Sequence, residues 1–159
     1  MATPIGHGIV GYLIARGAGV KSPVGFALAA AAAALPDIDM VQGYVANGNI
    51  FSLHHETITH RPAFALIVGG ATGLAALTVG RNGGRAAFRP AALATVLVGS
   101  HIAMDPLPLP YDTMSLRSGS FWQAIVTHFW NSVIDLTVYG ALAMLVLRRG
   151  RAADEAAEA

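Results

Sequence analysis

From Ala63 to Gly80 the chain carries no charged side chain, and its only polar ones are Thr72 and Thr78. As a helix opened by Pro62, this run measures about 27 Å, close to the thickness of one bilayer core. Gly69, Gly70 and Gly73 within it leave room for a second helix to approach closely. A chain containing such a run is committed to lipid or to a very large apolar core, and 159 residues provide for only one domain. The composition favours lipid: 54% of residues are hydrophobic and only 12% charged, against roughly 25% charged in a soluble domain.

The other segments fit the same reading. Ile5 to Ala15 is apolar apart from His7 but too short to span, since a crossing helix needs about 20 residues. A glycine-rich basic break, Arg16 to Lys21, follows. Ser22-Pro23 has the form of a helix start, a capping residue before a proline at the first helical position. From Val24 to Leu35 the chain is nearly all small and apolar, until Pro36 ends the run ahead of Asp37 and Asp39. Residues 40–53 mix turn formers with aromatics and are expected as a loop or interfacial segment. A basic turn spans Arg81 to Arg89. The next apolar run, Pro90 to Met104, holds His101 near its end and stops at Asp105. The alternate prolines Pro106, Pro108 and Pro110 favour an extended segment. The aromatics Tyr111, Phe121, Trp122, Phe129 and Trp130 suit a membrane-interface belt. A last helix is expected from about Asn131 to Leu147, then the basic Arg148, Arg149 and Arg151.

The expected architecture is therefore all-α: a small integral-membrane bundle of about four to five helices, with a polar metal site at one membrane face. A single domain covers 1–150, and 151–159 forms a flexible tail. Met1-Ala-Thr-Pro offers neither a basic n-region nor a cleavage site, so targeting is expected to rest on uncleaved membrane helices. A net charge of +1 provides no basic face for nucleic acid. With no cysteine, disulfides and thiolate metal sites are excluded, and any metal must be held by nitrogen and oxygen.

The positive-inside rule orients the bundle. If the breaks at Arg16–Lys21 and Arg81–Arg89 and the end at Arg148–Arg151 are cytoplasmic, the helices alternate without conflict. The opposite face then receives all six histidines (His7, His54, His55, His60, His101, His128). It also receives Asp37, Asp39, Glu56, Asp105 and Asp112. Ionisable residues beside membrane helices are costly and point to function.

Three motifs carry the chemistry. His101 and Asp105, at i and i+4, share one helix face about 6 Å apart and form either a ligand pair or a histidine oriented by a carboxylate; the bland reading is a polar helix end. Asp37 and Asp39 diverge in a helix but converge in a turn, where a solvated turn is the bland reading. His55 and His60 lie about 140° apart on a regular helix, so joint ligation needs irregular backbone; otherwise they belong to a polar loop. His54 is expected as a bystander. Taken alone, His7 and His128 read as satisfied polar groups or outer partners, and Asp135 as an intramembrane acid facing the bundle interior. Glu56 is a candidate general base.

The ordered set His7, Leu35-Pro36-Asp37-Ile38-Asp39, His55 with Thr59-His60, then His101 with Asp105 resembles the YdjM-like family. That family comprises inner-membrane, metal-dependent hydrolases, some described as LexA-binding. The resemblance implies a polar core of His7, Asp37, Asp39, His55, His60, His101 and Asp105. Two positions depart from the family's habit: Glu56 stands where Arg is common, and Arg61 where Ser is common. More distantly, the order of Asp, His and H-x-x-x-D is similar to the zinc phospholipase C and single-strand nuclease group. That group's downstream H-x-x-x-[DE] pair is missing here, because Ser132 stands four residues after His128.

Together these readings predict a multi-pass protein of the inner (plasma) membrane with its site on the non-cytoplasmic face. It would bind one or two divalent ions, most readily zinc, and hydrolyse a small-molecule, phosphodiester or lipid-type substrate. Its partners would be the lipid bilayer and that substrate, with no nucleic acid. Two rival classes remain at this stage: a non-enzymatic metal-binding module and a metal or proton carrier. A carrier needs polar groups at several depths, yet the runs 63–80 and 90–100 offer only Thr72, Thr78, Thr95 and Ser100.

Overall fold

The computed structural model describes residues 3–79, 84–105 and 120–158. The alternate-proline segment, Asp112 and Arg117 lie outside them. Every regular element among the described residues is helical: α1 (Pro4–Gly17), α2 (Pro23–Ala34), α3 (Asp39–Asn47), α4 (Pro62–Val79), α5 (Gly84–Met104) and α6 (Phe121–Glu158), with short 3₁₀ turns at Leu35–Ile38 and Ile58–His60. Four stretches are long and apolar enough to cross a membrane: Pro23–Asn47, Pro62–Val79, Ala87–Met104 and Ile125–Gly150.

Local chemistry sets most of these bounds. Ser22 Oγ accepts the Gly25 backbone N–H at 3.0 Å and caps α2, with Pro23 at its first position. Pro36 cannot supply a backbone N–H, and at that point the α-helix gives way to the tighter turn Leu35–Ile38. Beyond it the structure corrects the expected loop: residues 39–47 form α3, closed by Gly48 at φ +71. Gly43, which reads as a turn former, is a contact point instead. A Cβ there would come within 2.8 Å of Asn49 O and 3.0 Å of Ser52 Oγ, where the following loop folds back on the helix.

Two other boundaries move. α5 begins at Gly84, so Pro90 lies inside the helix rather than opening it; membrane helices tolerate this where neighbours satisfy the freed carbonyl. α6 begins at Phe121 and runs through the segment expected as a flexible tail, to Glu158. No glycine or proline interrupts residues 121–139, and the aromatics from Phe121 to Trp130 lie within the helix, while Tyr111 lies outside the described residues.

In space α1 packs on α2 and α6, α2 packs on α5, and α5 packs on α4. Contact is close because small residues face each other: the buried apolar core is Ala15, Ala29, Ala33 and Leu97. At Gly69 an added Cβ would fall 1.9 Å from Thr95 Oγ1, so α4 and α5 meet almost backbone to backbone. The distribution inverts that of a soluble protein. His7, His101, Asp39 and Asp135 are among the largest fully buried side chains, whereas Leu28, Leu66, Leu74, Phe129 and Leu136 are exposed. The exposed apolar surface is what lipid covers.

Helix direction sorts the charges. α1 starts, and α2 and α5 end, at the layer holding His7, Asp37 and His101. Arg16, Lys21 and Arg89 sit at the opposite ends of those helices, and on α6 Arg148 lies about 20 Å beyond Asp135.

Candidate metal centre

Four elements meet at one end of the bundle. The turn after α2 brings Asp37 and Asp39, the loop before α4 brings His54, His55 and His60, the end of α5 brings His101 and Asp105, and the first turn of α1 brings His7. Asp37, Asp39, His54, His7 and His101 are buried. The backbone of the loop is irregular, as joint presentation of His55 and His60 requires: His55 adopts φ +66, a left-handed conformation uncommon for a side-chain-bearing residue.

At the centre the donor atoms of Asp37, His60 and His101 converge, with Asp105 beside them. His60 Nε2 and His101 Nε2 are 3.2 Å apart. Asp105 Oδ2 is 3.4 Å from each of them, and Asp37 Oδ1 is 3.4 Å from His101 Nε2 and 4.0 Å from His60 Nε2. A tetrahedral zinc ion with bonds of about 2.0–2.1 Å has ligand-to-ligand edges of about 3.3 Å. The separations among Asp37, His60 and His101 run from 3.2 to 4.0 Å, short enough for the three to share one ion.

Tautomers sharpen the point. The His101 Nδ1–H donates to Ala33 O at 2.7 Å. The His60 Nδ1 lies 2.9 Å from Asp39 Oδ2, and an N–H must face a carboxylate at that distance. In its neutral form each ring therefore carries its lone pair on Nε2, facing the other ring and the neighbouring carboxylates. Acceptors this close repel unless a proton or a cation lies among them. Several buried atoms of the cluster also lack any hydrogen-bond partner: Asp37 Oδ2, both Asp105 oxygens, both His7 nitrogens and His55 Nε2. Leaving such atoms unsatisfied is expensive, and Asp105 Oδ2, beside the central donors, is the one a cation there would relieve most directly.

The remaining predicted residues fall into distinct places. Asp39 stands behind the histidines rather than among the donors. Its Oδ1 accepts the His54 Nδ1–H at 2.9 Å, and its Oδ2 accepts the His55 backbone N–H at 2.9 Å as well as facing His60. This is the outer carboxylate that fixes ring orientation in metal–histidine sites. His54, expected as a bystander, is buried against Asp39 and directs Nε2 toward Asp37 Oδ1 at 3.9 Å. His7 stacks on His101 with centroids 3.5 Å apart, and its Nε2 lies 3.3 Å from Asp105 Oδ1. His55 Nε2 lies 3.8 Å from Asp105 Oδ2 at the rim. Glu56 is exposed and outside the His/Asp groups that converge. His128 meets Phe51 edge-on at 5.6 Å. Asp135 faces the bundle interior, where it accepts the Thr3 backbone N–H at the start of α1.

A cavity of about 240 Å³, lined by His55, His60, Ile102 and Asp105, opens the cluster to the outside. Burial, and then the nearby His54, push the His55 imidazole down to about 4. Burial pushes the Asp105 carboxyl up, but His7, His101 and His55 together outweigh it and hold it below the ordinary carboxylate value. At neutral pH His55 is neutral and Asp105 ionised, the states in which both can act as ligands or proton acceptors.

A multi-pass helical bundle with a buried histidine–aspartate cluster able to hold a metal ion at one end is thus the class that fold and site define. The profile of the YdjM inner membrane protein family matches residues 1–155, and the chain belongs to that family. No curated protein and no solved structure matches it.

Proposed function

We propose that this chain is a membrane-embedded, metal-dependent hydrolase acting on a phosphodiester or lipid-type substrate at the non-cytoplasmic face. The observation that carries the proposal is the convergence of Asp37, His60 and His101, three donors that leave a position free, with Asp105 and an open cavity beside them. A bound divalent ion, most readily zinc, would polarise the scissile group and lower the pKa of water toward neutrality.

The chain's own residues do the rest. His60 and His101 present their Nε2 lone pairs because Asp39 and Ala33 O occupy the other ring nitrogens. Asp105, at the cavity wall, orients the incoming water. His55, neutral and at the cavity mouth, is better placed than the exposed Glu56 to accept the proton.

The test uses purified protein in detergent, stripped with chelator and reloaded with zinc. Hydrolysis of bis(p-nitrophenyl) phosphate is expected in the reloaded wild type and lost in His101→Ala and Asp105→Ala. Equal turnover by stripped and reloaded protein would overturn the reading. The rival of a non-enzymatic metal module requires Asp105 to close the shell as a fourth donor, since structural zinc sites are closed. It predicts that zinc-loaded protein takes up no exogenous fifth ligand, such as azide on a cobalt-substituted sample followed by its visible spectrum.

A further inference from the structure

We propose that the groove between α2 and α4, floored by α5, holds one acyl chain of the substrate, so that the substrate is a membrane lipid rather than a soluble ester. The proposal rests on the hydrolase reading and adds to it the substrate class. The groove has a volume of about 410 Å³, and its walls include Leu28, Ala32, Thr72, Leu93 and Leu97, with Pro90 at its foot. Its one polar wall residue, Thr72, spends its hydroxyl on Val68 O at 2.8 Å, so the lining is apolar throughout. Small residues create the space: α2 presents Gly25, Ala29 and Ala32 where larger side chains would close it.

Register links this groove to the metal centre. On α5 the floor residues Pro90, Ala94 and Leu97 continue, at helical spacing, to His101. On α2 the wall residues Gly25, Ala29 and Ala32 continue to Pro36, beside Asp37. From Pro90 to His101 the rise is about 16 Å, most of one leaflet. A lipid whose chain lies in the groove therefore brings its headgroup to the layer of His60, His101 and Asp105. The groove shares Val20, Pro90 and Leu93 with a second cavity of about 630 Å³ at the basic end, so a longer chain can continue past Pro90.

The test places the full chain in nanodiscs of phosphatidylglycerol doped with phosphatidylglycerol carrying a diazirine midway along one acyl chain. After irradiation, labelled residues are mapped by mass spectrometry. Labelling is expected to be several-fold higher at Thr72 and Leu93 than at the outward-facing Leu66, Leu74 and Leu142. Ala32→Leu and, from the opposite wall, Thr72→Phe should each lower groove labelling several-fold while outward labelling holds. Uniform labelling of groove and outward residues in the wild type would overturn the proposal. Labelling needs no turnover, so it still decides the groove if the hydrolase reading fails. In an active preparation both variants should lower the ratio of phosphatidylglycerol to bis(p-nitrophenyl) phosphate hydrolysis about ten-fold. An unchanged ratio despite lost labelling would detach the groove from catalysis and overturn the assignment of substrate class.

Discussion

Replacing Asp39 with asparagine keeps the side chain's shape but removes one negative charge and one acceptor oxygen. In the native protein those two oxygens face His54 Nδ1 and His60 Nδ1, each at 2.9 Å. An amide has a single acceptor, so one of the two rings must meet an NH₂ group instead. That ring then carries its proton on Nε2, and if it is His60 the metal loses a lone pair. Loss of such an outer partner typically costs 10–100-fold in metal affinity, or about 1.4–2.8 kcal/mol. The assay is competition for zinc against a chromophoric chelator in detergent at neutral pH, with wild type, Asp39→Asn and His101→Ala in parallel. The expected order is wild type tightest, Asp39→Asn intermediate and His101→Ala weakest. Wild-type affinity in Asp39→Asn would refute the reasoning about tautomers. A loss as complete as in His101→Ala would make Asp39 a ligand rather than a positioning residue.

Other outcomes follow from the same geometry. In metal-free protein, His55 takes up its proton at about pH 4 when folded but near 6.5 when unfolded. The unfolded state therefore binds more protons between those values. Stability should rise with pH across that window, by at most about 3 kcal/mol, as read from denaturation midpoints; a flat profile would contradict the burial of this ring. Gly69→Ala should push α4 off α5, because its Cβ would meet Thr95 Oγ1 at 1.9 Å. A loss of about 1–3 kcal/mol is expected, partly restored by Thr95→Ala, and an additive double mutant would count against the contact. The chain has no cysteine, so single cysteines report orientation cleanly. Ile58→Cys should react with an impermeant maleimide in intact cells and Arg149→Cys only after permeabilisation; the reverse pattern would invert the proposed topology.

Much of the architecture could be read from apolar runs and helix punctuation. Pro62 opens α4 where the sequence places it, and Ser22-Pro23 caps α2. The gathering of histidines and acids at one end also follows from run lengths and basic breaks, because each helix carries its polar residues near one terminus. What could not be read is anything set by packing across elements. Asp39 and His54 are 15 residues apart, and their pairing depends on the loop folding back over α3 at Gly43. Spacing alone reads Asp39 as part of a turn and His54 as a bystander, and neither reading contains the contact between them. The stacking of His7 on His101 depends on α1 running antiparallel to α5, which no local pattern encodes. α6 was cut short because aromatic and polar residues at 121–130 read as an interface, although nothing there breaks a helix.

The central claim is that Asp37, His60 and His101 hold one ion, and X-ray absorption at the zinc edge of reloaded protein tests it most directly. The account predicts a first shell of about four nitrogen and oxygen atoms at about 2.0–2.1 Å, with imidazole scattering from two histidines that disappears in the His60→Ala, His101→Ala double variant. A six-coordinate oxygen shell without imidazole scattering, or a spectrum unchanged in the double variant, would contradict it.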